Sequence, residues 1–241
     1  MRTTLLIALA VLSGCLPIRV PDAARAYNDE CAVLFTRGEL EQAEIACAHA
    51  LEYQPKYWDA LHNLGLVRLA RGDVKEAKRY FREALRANPD MAQSYNSLGL
   101  IALDAGDYGA AKDWLKAALR VNPDYAEARA NLGLACLRAG EFDEAEQAYR
   151  HLTLSAPWLS DPYAQLGVIL LAKGRTQDAI TWLARAVELE ADYGPAWEAL
   201  GVAYEAEGRV DEARAAYESC VDSRPASERC REGVERLTGG R

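Results

Sequence analysis

Glycine recurs through this chain at a fixed step. Gly65, Gly99, Gly133, Gly167 and Gly201 stand 34 residues apart. A second series, Gly38, Gly72, Gly106, Gly140, Gly174 and Gly208, keeps the same step. So does a series of alanines: Ala43, Ala77, Ala111, Ala145, Ala179 and Ala213. Three small-residue series in one phase demand a structural unit that repeats. Small residues recur where two elements approach closely or where the backbone must turn left-handed. Such a unit cannot bury its apolar stripe alone, whereas stacked units bury a common core.

Numbering each repeat from 1 to 34 starts the units at Ala24, Trp58, Ala92, Ala126, Ser160 and Gly194. Position 7 is then Leu64, Leu98, Leu132, Leu166 and Leu200, and position 8 is the first glycine series. Position 27 is Ala50, Ala84, Ala118, Leu152, Ala186 and Cys220; position 32 is Pro55, Pro89, Pro123, Pro157, Ala191 and Pro225. This pattern resembles the tetratricopeptide repeat. The resemblance implies an all-α, right-handed solenoid of six helix pairs over residues 24–225. Each pair would be helix A, a turn at the position-15 glycine, then helix B stopped by proline. Residues 226–241 read as a capping helix and tail, with Val234 and Leu237 inward. The unbroken phase predicts a single domain.

The N-terminus carries a different message. Leu5 to Leu12 is an apolar run too short to span a bilayer. It ends in Leu12-Ser13-Gly14-Cys15, which resembles the bacterial lipobox. That resemblance implies a signal peptide at 1–14, a lipidated Cys15, and a short Pro-containing tether over 15–23. Leu16 after the cysteine resembles an outer-membrane sorting address. The lipid would be the membrane anchor, on the periplasmic face of the outer membrane.

The net charge of −8 and the absence of a basic stripe argue against nucleic acid as a ligand. No GxSxG, HExxH, phosphate-binding loop or paired-carboxylate pattern points to catalysis, and no cofactor or metal is expected. The six cysteines include no CxxC spacing. With Cys15 given to lipid, Cys31 and Cys47 occupy positions 8 and 24 of the first repeat, which face each other across the helix pair. Cys220 occupies position 27 of the last repeat, near Cys230 in the capping helix. In an exported protein two end-stapling disulfides are expected, Cys31–Cys47 and Cys220–Cys230, with Cys136 a small core residue.

In tetratricopeptide proteins the A helices line the ligand groove, through positions 2, 5, 9, 12 and 13. The expected groove here is Phe35, His62, Leu66, Leu69, Asn96, Leu100, Leu103, Leu134, Leu137, Val168 and Leu171: an apolar stripe at positions 9 and 12, with His62 and Asn96 on a polar rim. It suits an amphipathic or extended peptide from another envelope protein. Trp58, Trp158 and Trp197 read as staples between repeats. Lipobox, short tether, length and six repeats together resemble the pilotin-like assembly lipoproteins of type IV pili (the PilF, PilW and Tgl kind). The resemblance implies a scaffold for a secretin ring or motility complex. Two rival classes share these features: an adaptor of the NlpI kind that recruits peptidoglycan-remodelling enzymes or proteases, and a subunit of a gliding-motility machine.

Overall fold

The computed structural model describes residues 20–224 and 227–239. Among them are thirteen α-helices and no strand: α1 Asp22–Thr36, α2 Leu40–Tyr53, α3 Trp58–Ala70, α4 Val74–Ala87, α5 Ala92–Asp104, α6 Tyr108–Val121, α7 Ala126–Arg138, α8 Phe142–Ser155, α9 Ser160–Ala172, α10 Thr176–Leu189, α11 Gly194–Ala206, α12 Val210–Ser223 and α13 Glu228–Thr238. Odd-numbered helices up to α11 are the A helices and even-numbered ones the B helices. The fold is the tetratricopeptide repeat.

The periodic glycines explain both halves of each unit. Gly38, Gly72, Gly106, Gly140, Gly174 and Gly208 all have φ between 72° and 85°, which a side chain would resist. Each lets the chain fold back so that the next amide caps the preceding A helix. Glu39 N–H donates to Leu34 O at 3.0 Å, and Asp73 N–H to Arg68 O at 2.8 Å. The position-8 glycines serve close approach instead. A methyl group at Gly65 would stand 2.6 Å from the Phe81 ring, and one at Gly133 2.7 Å from Tyr149. Helix A thus lies directly on the large position-24 side chain of helix B. Proline at position 32 is not what ends helix B: α10 stops at Leu189 in the same phase with Ala191 in that place.

The chain divides into two compact units, Met1–Ala87 and Asn88–Arg241. A stack in which each pair touches only its neighbours can divide at any junction. In the first unit α1 lies beside α2 and α3, and α3 beside α4. In the second, successive helices from α5 to α13 pack in turn. Its core is built from Leu115, Tyr149, Leu183 and their neighbours.

The last residues of the segment expected as a tether are structured. Helix α1 already begins at Asp22, and Val20 is buried beside Ala24, Ala50, Tyr57 and Ala60. An apolar side chain that can reach this cluster gains more from burial than from water. Cys15, the signal segment and Leu16 lie outside the described residues. No helix of the described residues is long and apolar enough to cross a membrane. In the cap Arg229, Arg231, Glu232, Glu235 and Arg236 are exposed as expected, Val234 and Leu237 are partly buried, and the buried residues are Cys230 and Gly233.

Candidate binding face

The A helices present two apolar rows, and the structure separates them. Position 12 points into the core. Phe35 packs against the cluster of Cys31, Cys47, Leu64 and Val67. In the second unit Leu103, Leu137 and Leu171 each pack against buried clusters in the same way. Position 12 is itself partly buried, and position 9 ranges from partly buried to exposed. Leu66 in the first unit, and Leu100 and Leu134 in the second, are only partly buried. Val168 is 38% exposed and Val202 49%. A helix of period 3.6 sets residues three apart on flanks of one face, so one flank packs inward while the other meets solvent. The expected stripe is therefore two rows with different duties. Leu69 is partly buried.

The two polar residues expected on the rim are engaged within the fold. Asn96 is buried, and its side-chain oxygen accepts from Asn131 Nδ2 at 2.9 Å. The first unit repeats the arrangement: Asn63 Nδ2 donates to Asn28 Oδ1 at 2.9 Å. These pairs tie successive A helices, since a buried amide must find a partner. His62 lies against the Phe81 ring, centroids 5.3 Å apart, and burial holds its pKa down to about 4. It is a neutral packing residue, not an open ligand contact.

The cysteine pairs lie where the repeat frame puts them. Cys31 and Cys47 are joined with Cα atoms 5.3 Å apart, and Cys220 and Cys230 with Cα atoms 6.0 Å apart. The first bridge stands at the glycine-against-large-residue contact of every later repeat. Cys136 is a buried thiol, its pKa pushed up to about 12 by burial and by the Glu144 carboxylate at 3.5 Å.

Ion pairs lace neighbouring helices. Glu146, nearly buried, accepts from Arg150 and Lys173 at 2.6 Å, with Arg175 at 3.4 Å. The Lys173 hydrogen bond holds its carboxyl below the usual range. At the far end Glu205 accepts from Arg236 at 2.8 Å and from the Tyr217 hydroxyl at 2.9 Å, tying α13 to α11.

Two of the three tryptophans are staples, as expected, and one is not. Trp58 packs beside the cluster of Val20 and Tyr57, and Trp197 packs on the α9–α11 core with its indole N–H on Ala191 O at 2.8 Å. Trp158 is 70% exposed. The repeat frame fixes its place on a turn, but not whether a neighbouring side chain covers it.

The family described as cilia and flagella-associated protein 70 C-terminal domain matches residues 4–238. No curated protein matches the chain in sequence. Solved structures of the same fold include PilF of Pseudomonas aeruginosa, with TM-score 0.77 and 18% identity over 91% of this chain and 98% of that one. PilW, described as a widely conserved type IV pilus biogenesis factor, gives TM-score 0.77 and 18% identity over 88% and 98%. YrrB, described as a tetratricopeptide protein with an unusual peptide-binding site, gives TM-score 0.66 and 18% identity over 79% and 98%.

Proposed function

We propose that this chain, which belongs to the family of the cilia and flagella-associated protein 70 C-terminal domain, is a non-catalytic scaffold held to the periplasmic face of the outer membrane through Cys15. Its position-9 A-helix row takes a peptide segment of another envelope protein. The machine it serves is the assembly apparatus of a type IV pilus secretin or a related motility complex.

One observation carries the reading: in the second unit the position-9 residues Leu100 and Leu134 are partly buried and Val168 and Val202 are 38% and 49% exposed, so apolar surface is left on successive A helices. Apolar side chains left in phase on one face of a helical array are what a partner's apolar face would cover. Export is supported by the Leu12-Ser13-Gly14-Cys15 sequence and by the two cysteine pairs, since disulfides persist in oxidising compartments. The pilus reading is supported by the fold shared with PilF and PilW over nearly their full lengths.

Crosslinked recovery from envelopes tests it, comparing wild type with Leu100→Glu/Leu134→Glu. A secretin or pilus component present with wild type and lost with the variant supports the reading. A cell-wall hydrolase or protease in its place moves the function to the adaptor class. Palmitate labelling of wild type but not Cys15→Ala supports the anchor, and equal labelling removes it.

A further inference from the structure

Repeat 4 breaks the pattern at several places that meet in one spot. Position 27 is small in the other repeats but is Leu152 here, 1% exposed. Position 5 is a small Ala130. Helices α5 and α7 are close neighbours, as are α9 and α11, but α7 and α9 are not such a close pair. A hollow of about 220 Å³ lies between α7 and α9, with Leu152 in its lining. Its floor and walls are Ala130, Leu152, Leu159 and Pro162, and its rim carries Glu127 and Asp161.

The segment that leads into Leu159 is apolar where the other repeats are not. Position 29 is charged in the other five repeats (Glu52, Arg86, Arg120, Glu188 and Asp222) and is Leu154 here, 84% exposed. Position 33 is Lys56, Asp90, Asp124 or Asp192 in four repeats and Trp158 here, 70% exposed. Position 34 is buried as Tyr57 and Met91, yet Leu159 is 42% exposed. An exposed tryptophan between two exposed leucines contributes nothing to the core and is poorly placed in water.

We propose that this hollow is the anchoring subsite of the binding face. It takes an apolar side chain of leucine or phenylalanine size from a segment that carries lysine or arginine beside it. The inference rests on the scaffold reading and adds the chemistry of the ligand. The wall accepts the apolar group, Leu159 covers its outer side with Trp158 next to it in the chain, and the carboxylates of Glu127 and Asp161 select a basic neighbour over an acidic one. The Asp161 carboxylate is held in place by the Tyr193 hydroxyl at 2.7 Å and by Gln165 Nε2 at 3.1 Å.

The test uses the full chain and a fluorescent peptide with a Phe-Lys-Leu-Arg core in Gly-Ser flanks. Two control peptides replace either both basic residues by Glu or both apolar ones by Ser. Only the parent peptide should bind. Affinity should fall about tenfold or more in Ala130→Leu, which fills the hollow, and in Trp158→Ser, which removes the exposed ring next to Leu159. Circular dichroism melting checks that both variants stay folded, and the exposed Trp158→Ser change keeps the test valid if Ala130→Leu does not. No binding of the parent peptide, equal binding of the acidic control, or affinity unchanged in Trp158→Ser overturns the proposal. So does sedimentation showing a dimer that Trp158→Ser dissolves, because a second copy would then be the occupant. An envelope partner lost with Leu100→Glu/Leu134→Glu but kept with Trp158→Ser would sink this subsite and leave the scaffold reading standing. No partner with wild type would sink the scaffold reading itself.

Discussion

His62 makes the clearest residue-scale prediction. Folded, its pKa is held near 4; unfolded, it returns to the ordinary 6.5. The unfolded chain therefore binds more protons between those values, and stability falls as pH drops from about 6.5 towards 4. The size is on the order of 3 kcal/mol when the whole shift is lost. Denaturant unfolding at pH 7 and pH 5 should show the loss in wild type and a smaller one in His62→Phe. Glu146 acts lower on the scale. Its pKa is depressed by Lys173, so its contribution is present above the ordinary carboxylate range and disappears as pH falls through the depressed value. Cys136 should resist alkylation in the folded chain at pH 8, because it is buried with a pKa near 12, and react once denatured. Rapid labelling of native Cys136 would show that helices α7 and α8 open readily.

At the scale of elements, the helix pairs and their turns follow directly from the sequence. All six position-15 glycines have positive φ, and five position-8 glycines lie against a large side chain, so their spacing dictates the pairs. The cysteine pairs were legible for the same reason: Cys31 and Cys47 stand where Gly65 meets Phe81 in the next repeat. The site was less legible. Period alone puts positions 9 and 12 on one face. Only the packed structure shows that Leu103 and Leu137 meet buried clusters while Val168 and Val202 leave apolar surface exposed. Asn96 reads as a rim residue until its partner Asn131, a full repeat away, is in view. The hollow beside Leu152 is lined from two repeats and so has no one-residue trace. The start of α1 at Asp22 escaped because Pro21 resembles a tether residue as readily as a helix entry. The bridges carry an element-scale prediction. Closing loops of such lengths stabilises by about 3 kcal/mol. Cys31→Ala/Cys47→Ala should lower the urea midpoint of the first unit, and added reductant should reproduce the shift in wild type. Equal midpoints in both comparisons would mean that the fold holds that pair without the bond.

For the whole molecule, the separation of the two apolar rows gives a test that a sequence pattern could not. Leu100→Glu/Leu134→Glu places carboxylates at partly buried position-9 sites that water still reaches. Such a change should cost less than a charge set against a buried cluster. Leu103→Glu/Leu137→Glu places them against the buried clusters of Ala102 and Leu115 and of Cys136 and Tyr149. A charge there without a partner costs several kcal/mol or forces the helix pairs apart. Thermal melting by circular dichroism should therefore leave the first variant nearer wild type and bring the second down by many degrees. The two must then be scored for partner recovery from envelopes. The binding reading requires that the stable variant lose the partner, because it alters only the face that a ligand would touch. Loss in the unstable variant alone would mean that the partner reads the folded array but not the position-9 row. Early melting of both would mean that position 9 is core after all. The ligand would then have to meet the chain elsewhere, with the exposed turn from Leu154 to Leu159 the first place to look.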